Sequence, residues 1–358
     1  MPLIWQLLAI LQIIVLLTLF LTWPKQPVAL TLVVPSPEAE HWSSLIEDFH
    51  AQNPDIRIAL VKGSYTTEKV KGLYTFDFQE GSQLYDLVYM DIIWVPEFAK
   101  KQWLRDLSDQ IPKSELERFL AGDVESGRYQ GGLYRIPFRS DAGVLYYRQD
   151  LLEQKSYQPP KTFAQLLQIS QALQKQERVR WGYVWQGLQY EGLVAMFVEV
   201  LQGYGGFWIN PMTREVGLDQ PAALAAVKFL RDTIEQGISP PEVTTYAEEE
   251  SFQKFKQGES IFLRSWPYVW DRVKYDDKDN KVRGKVGITP IVHAPGQSSS
   301  ACKGGWGFGI AKNAKHPKEA WRAIQFFTSE AAQRKFVLES GYLPSRRSLP
   351  LSVDCCLA

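Results

Sequence analysis

The sequence predicts an α/β fold in which parallel strands are covered by helices on both faces. Two observations carry that reading. Short strand-like runs rich in branched apolar residues alternate with stretches whose apolar residues recur at helical spacing, the rhythm of strand–helix–strand units. The chain is also 358 residues long, enough for two hydrophobic cores when domains usually run ~100–200 residues. No internal repeat or low-complexity tract interrupts it.

The elements follow in order. After Pro24 and Pro27, Leu30-Thr31-Leu32-Val33-Val34 reads as a buried strand ending at Pro35. Trp42, Leu45, Ile46 and Phe49 fall at i, i+3, i+4 and i+7, one face of a helix. Asn53-Pro54-Asp55 is a turn, 56–61 a second strand, and 86–91 a third that ends on Asp91. In open α/β sheets ligands sit beyond the carboxyl ends of the strands, where Asp91 falls. Thr162-x-x-Gln165 is a capping box, opening a helix with Phe163, Leu166, Leu167 and Leu173 on one face. Residues 182–185 are strand-like. Leu224, Val227, Leu230 and Ile234 mark a helix stopped by Gly237 and Pro240-Pro241. Residues 261–263, 286–288 and 307–311 read as strands, 274–285 as a charged loop or hairpin, and 317–327 and 331–338 as helices.

Composition narrows the function. Forty basic residues balance forty acidic ones, so no global field draws in nucleic acid or an anionic surface. The three cysteines, Cys302, Cys355 and Cys356, cannot form a disulfide framework. His41, His50, His293 and His316 lack zinc-ligand spacing, so no metal or other cofactor is expected. There is no G-x-x-x-x-G-K-[ST], H-E-x-x-H or G-x-S-x-G. Gly304 to Gly309 is glycine-rich without the dinucleotide spacing. The chain holds 12 Trp, 16 Tyr and 18 Phe; most must serve the cores, leaving a few to line a cleft, where a flat apolar face with a polar edge suits a sugar ring.

From Leu3 to Trp23 the chain carries no charge, long enough for the ~20 residues a spanning helix needs. No Lys or Arg precedes this run, no A-x-A site follows it, and no cysteine stands near its end to carry a lipid. Residues 1–27 are therefore expected to be a membrane anchor or a signal, with an uncleaved anchor favoured over a cleaved signal. Lys25 alone argues weakly for a body on the inner side.

Several blocks together resemble one family: Ser140-Asp141-Ala142-Gly143-Val144-Leu145-Tyr146-Tyr147-Arg148, the run from Trp185 to Leu193, Lys285-Val286-Gly287-Ile288, Gly304-Gly305-Trp306-Gly307-Phe308-Gly309 and Gly341-Tyr342-Leu343-Pro344-Ser345-Arg346. In this order, from about residue 30 to about 347, they resemble the extracellular sugar-binding subunits of ABC importers, and within these the trehalose/maltose-binding branch. The resemblance implies a two-lobed periplasmic-binding-protein fold. Each lobe would be a mixed, mostly parallel sheet flanked by helices, with hinge crossovers near 139–143 and 303–307. It implies a first lobe of 28–140 plus 307–343 and a second of 141–306 plus 344–358. It further implies an extracytoplasmic monomer, tethered to the inner membrane, that captures an oligosaccharide and delivers it to a permease without transforming it.

The same resemblance nominates site residues. Asp141 matches an acidic hydroxyl acceptor at the hinge, and Asp91 a second carboxylate contact. Trp266, in Arg264-Ser265-Trp266-Pro267-Tyr268, matches the stacking residue of the second lobe. Gly305 and Trp306 match a loop that offers backbone and indole, and Glu40 a further carboxylate near the first helix. The plainer readings are a strand-end cap for Asp91, core packing for Trp266 and lobe packing for the Trp185–Leu193 run.

Two departures bear on the substrate. Arg139 stands where relatives carry an aromatic, which points to another disaccharide or a glycoside with a polar head; alternatively Arg139 only pairs with a carboxylate. The family pattern also continues past the Pro-Ser-Arg segment, whereas here Ser352-Val353-Asp354-Cys355-Cys356-Leu357-Ala358 matches nothing there, an expected shortening of the second lobe. The rival functions are a non-binding paralogue acting as a partner or sensor, and a carbohydrate-active enzyme using Asp91 and Asp141 as its acid/base pair.

Overall fold

Apolar runs that are too short for helices become strands, and their order along the chain differs from their order in the sheets. In the computed structural model, which describes residues 26–177, 179–210, 212–274 and 278–349, the strands are β1 (Val28–Val34), β2 (Ile56–Lys62), β3 (Leu87–Asp91), β4 (Arg128–Tyr129), β5 (Gly132–Leu133), β6 (Ile136–Ala142), β7 (Val144–Arg148), β8 (Trp181–Val184), β9 (Ser260–Ser265), β10 (Val286–Thr289), β11 (Lys303–Ile310) and β12 (Leu343–Pro344). One lobe is built on β1 and β2, paired in parallel beside a sheet ordered β12-β6-β11-β3. The other is built on a sheet ordered β10-β7-β9-β8.

The sheets differ from the mostly parallel ones expected: β12-β6-β11-β3 is antiparallel throughout and β10-β7-β9-β8 is mixed. Besides β1–β2, only β8–β9 is parallel among the pairs of described strands. β11 runs antiparallel to both β3 and β6, and β7 antiparallel to both β9 and β10. Crossing is the cause: a chain that leaves one lobe and returns enters the sheet from the opposite end. Only Gly143 separates β6 from β7, and the return is made where the Gly143 N–H donates to Cys302 O at 3.3 Å. The chain thus crosses at Gly143 and beside Cys302, so that 141–142 and 303–306, expected with the second lobe, belong to strands of the first-lobe sheet. The segment from Pro344, expected with the second lobe, lies on the first. Pro344 pairs with Arg139, the Leu120 N–H donates to Ser345 O at 2.8 Å, and Arg346 Nη2 donates to Glu115 at 2.6 Å.

Local signals hold at several helices. The Thr162–Gln165 box closes reciprocally, each backbone N–H donating to the other's side chain at 3.2 Å. Helix Pro221–Glu235 forms, but it buries Ala223, Ala226, Phe229, Leu230 and Thr233, while Leu224 and Val227 face solvent. This helix neighbours helix Glu191–Gly203, and Ala223 and Ala226 are buried in the core the two share, so small residues take the core face ahead of larger ones. Much of the aromatic excess packs the first lobe. Trp42 is fully buried with its ring centroid 5.1–5.4 Å from those of Phe138, Phe336, Tyr89 and Phe327. No described helix is long and apolar enough to cross a membrane; the expected anchor run, like the residues beyond 349, lies outside the described residues.

Candidate functional site

Strand register assembles the site. Asp91 at the end of β3 lies opposite Trp306 of β11, Trp306 opposite Arg139 of β6, and Arg139 opposite Pro344 of β12. Residues opposite each other in antiparallel strands share a face, so segments far apart in sequence form one row. Asp141 stands two positions past Arg139, opposite Gly304. Asp91, Trp306, Arg139 and Asp141 floor a cleft of about 350 Å³ between the lobes. From the other side come Trp266, just after β9, and Leu188, Glu191, Glu248 and Tyr268.

The two glycines facing the floor each have a steric reason. A Cβ on Gly304 would lie 3.1 Å from Asp141 Cβ, tighter than ordinary contact, and 3.4 Å from the Trp266 ring. Gly305 has φ +141°, and a Cβ there would lie 2.7 Å from Arg139 O.

Arg139 is the electrostatic hub. Buried beneath the cleft, it donates from Nε to Glu38 Oε2 and to the Tyr89 hydroxyl, both at 3.1 Å, and from Nη1 to Asp141 Oδ2. Its guanidinium lies 4.0 Å over the Tyr342 ring. The simpler reading of Arg139, pairing with carboxylates, is what the structure displays, and it also lines the cleft. One guanidinium serves two buried acids, so burial dominates: it pushes Glu38 up despite Arg139, and lifts Asp141 to about 7 against the pull of Arg139. Asp91 is pushed up to about 6, again chiefly by burial and against its hydrogen bond from the Ile93 N–H at 3.1 Å. Asp91 therefore caps the turn after β3 and lines the cleft as well. Asp141 Oδ1 and Glu38 Oε1 are buried without a hydrogen-bond partner among the described residues; of the two, Asp141 lines the cleft, where its spare acceptor suits a hydroxyl donor.

Trp266 is held from behind. Arg264 lies 4.1 Å over its ring, and Arg264 itself is bound by Glu199 at 2.8 and 2.5 Å and by Gln186 at 3.2 Å. The indole Nε1 donates to Glu248 at 3.2 Å. Trp306 is only 4% exposed and packs on Tyr89 and Trp94 at 4.9 and 5.1 Å, core residue and cleft wall together.

Six of the nominated residues, Asp91, Arg139, Asp141, Trp266, Gly305 and Trp306, converge on this cleft. Glu40 does not. Its side chain is 79% exposed and lies in a neighbouring recess with His41. The 3₁₀ turn Ser36–Trp42 turns Glu38 inward to Arg139 instead. Sequence reasoning missed Glu38, Tyr342, Glu191 and Glu248. Tyr342 and Glu191 lie inside quoted blocks, 341–346 and 185–193, whose residues were not singled out; nothing local marks Glu248. The Trp185–Leu193 run serves both expected purposes: Trp185 is core, while Leu188 and Glu191 line the cleft.

Carboxylates with spare acceptors beside a buttressed indole match the chemistry of a polyhydroxylated ring. Known proteins agree. The chain is 34% identical to maltose-bound MalE3 of T. maritima, with a TM-score of 0.86 over 92% of this chain and 85% of that one. The GacH receptor of Streptomyces glaucescens, solved unliganded and with acarbose, shares the fold at 19% identity and a TM-score of 0.81, covering 92% of this chain and 84% of that one. A probable ABC transporter-binding protein of Deinococcus radiodurans is 33% identical over 77% of this chain, and the maltotriose-binding protein of Pyrococcus abyssi 23% identical over 86%. The matches span 66% and 64% of those two relatives' lengths. The profile described as bacterial extracellular solute-binding protein matches residues 35–334, and with fold, cleft and relatives in accord the chain belongs to that family.

Proposed function

We propose that this chain is the substrate-binding subunit of an ABC importer that captures a disaccharide or related glycoside of the trehalose, maltose or sucrose class. The observation that carries this reading is the cleft floor, where Asp91 and Asp141 face the Trp266 indole supplied by the other lobe. Asp141 and Asp91 accept ligand hydroxyls, Trp266 covers a ring face, and Gly305 and Trp306 close one wall. Arg139 sets the charge of the floor and contacts the polar end of the ligand. Glu40 is left out of this site, and Glu38 replaces it as the carboxylate behind the floor. The protein captures and releases without a catalytic step, works on the extracytoplasmic face as a monomer held by residues 1–27, and presents its sugar to the permease. Relatives that bind maltose and maltotriose support the ligand class.

Calorimetric titration with trehalose, maltose, maltotriose, sucrose and small glucosides tests this. Saturable binding at micromolar or lower concentration is expected for at least one. A well-folded protein that is heat-silent with the whole panel would refute the reading.

A further inference from the structure

Helix Glu191–Gly203 starts in the second lobe without a cap of its own. Its N-cap residue, Tyr190, makes no side-chain hydrogen bond to the first turn, although the first N–H groups of any helix need acceptors. The acceptor comes from the opposite lobe. Glu68, in the first turn of helix Thr67–Glu80, accepts the Glu191 N–H on Oε1 at 2.8 Å, across 123 positions of sequence. One residue earlier, the Thr67 hydroxyl donates to Glu191 Oε2 at 3.4 Å. Thr67 and Glu191 line the cleft, whereas Glu68 is exposed at its rim and does not.

We propose that Glu68 is a positioning residue for lobe closure, an interlobe helix cap made in the closed form that strengthens sugar retention without touching the sugar. A carboxylate at a helix start satisfies an orphan amide and meets the positive end of the helix dipole. When the lobes part, amide and carboxylate both return to water, so whatever this contact contributes is contributed to closure. The charges around Glu191 allow it. Glu191 faces Asp91 at the end of β3, Glu248 of helix Glu248–Lys256, Glu68 itself, and Arg264, which is already bound to Glu199. Burial first, then Asp91, Glu248 and Glu68, push Glu191 up to about 8, so at neutral pH Glu68 meets a largely uncharged acid. The inference rests on the reading that the lobes close over a sugar.

The test uses the full chain in detergent, with maltose or whichever sugar of the panel binds as probe. Glu68→Ala is expected to speed sugar dissociation roughly two- to thirtyfold, the range of a helix cap, and to raise hydrogen exchange at the amides of 191–193. Glu68→Gln, which keeps an acceptor, is expected to fall between Ala and wild type. Because Glu68 is exposed, its truncation leaves no buried charge and the fold is expected to persist. Unchanged dissociation and unchanged exchange in Glu68→Ala would overturn the proposal, as would a Gln variant no better than Ala. If wild type binds no sugar, the reading of the preceding section fails and the proposal falls with it; if wild type binds and Glu68→Ala dissociates and exchanges like it, the proposal alone fails.

Discussion

Replacing Arg139 with Met removes the guanidinium that pairs with both Glu38 and Asp141. Arg139 is 4% exposed and Glu38 and Asp141 are 0% and 7% exposed, so solvent does little to screen the loss. Breaking a buried pair by deleting one partner costs about 3–5 kcal/mol, because it strands the other charge. The loss should depend on pH with a definite sign. A carboxyl whose folded pKa lies above its unfolded value contributes stability that is full below the unfolded pKa and is lost as pH rises through the folded one. For Asp141 that window runs from 3.8 to about 7 in the wild type, and losing the Arg139 charge pushes both acids further up. At pH 8, above the wild-type value for Asp141, the Met variant should be clearly less stable than wild type, and the gap should widen as pH rises further. Near pH 4.5 Asp141 is protonated in the folded state of both proteins, so the difference should narrow toward the packing of the guanidinium over Tyr342, about 0.5–2 kcal/mol. Chemical denaturation of both proteins at the two pH values checks this. An equal loss of stability at pH 4.5 and pH 8 would refute the electrostatic account and leave packing as the whole role of Arg139.

Other perturbations separate recognition from support. Asp141→Asn should weaken sugar binding by roughly 1.5–3 kcal/mol, ten- to a hundredfold in Kd, if the carboxylate accepts one hydroxyl; unchanged affinity in a folded variant, read by calorimetry, removes Asp141 from the site. Trp266→Ala should lower affinity by about 0.5–1.5 kcal/mol or more, with intrinsic fluorescence no longer responding to that ring; a variant that binds like wild type assigns Trp266 to packing. Gly143→Ala should unfold at markedly lower denaturant, since a Cβ there would sit 1.8 Å from Glu199 Oε1 and 2.6 Å from Arg264 Nη2. That displaces a fully buried ion pair, and a wild-type midpoint would mean that the hinge backbone yields freely.

The sequence by itself was enough for what depends on neighbours along the chain. Branched and apolar runs specify β1, β2, β3 and β9, and the Thr162–Gln165 box specifies its helix start, because strand and cap preferences are settled within a few residues. The blocks around Asp141, Trp266 and Trp306 were legible through resemblance, and they do meet in one cleft. Tertiary structure decided the rest. Glu38 and Glu40 are indistinguishable to periodicity; the 3₁₀ turn 36–42 and the position of Arg139, 101 residues from Glu38, determine which one faces inward. The buried side of helix Pro221–Glu235 was chosen by the helix it packs against, not by the size of its own side chains. Pro344 joined the first lobe because β6 offers an edge beside Arg139. The row Asp91–Trp306–Arg139–Pro344 exists only through register between strands distant in sequence. A hydrogen-bonded register is set by which strands become neighbours, and that is a property of the packed chain rather than of any segment within it.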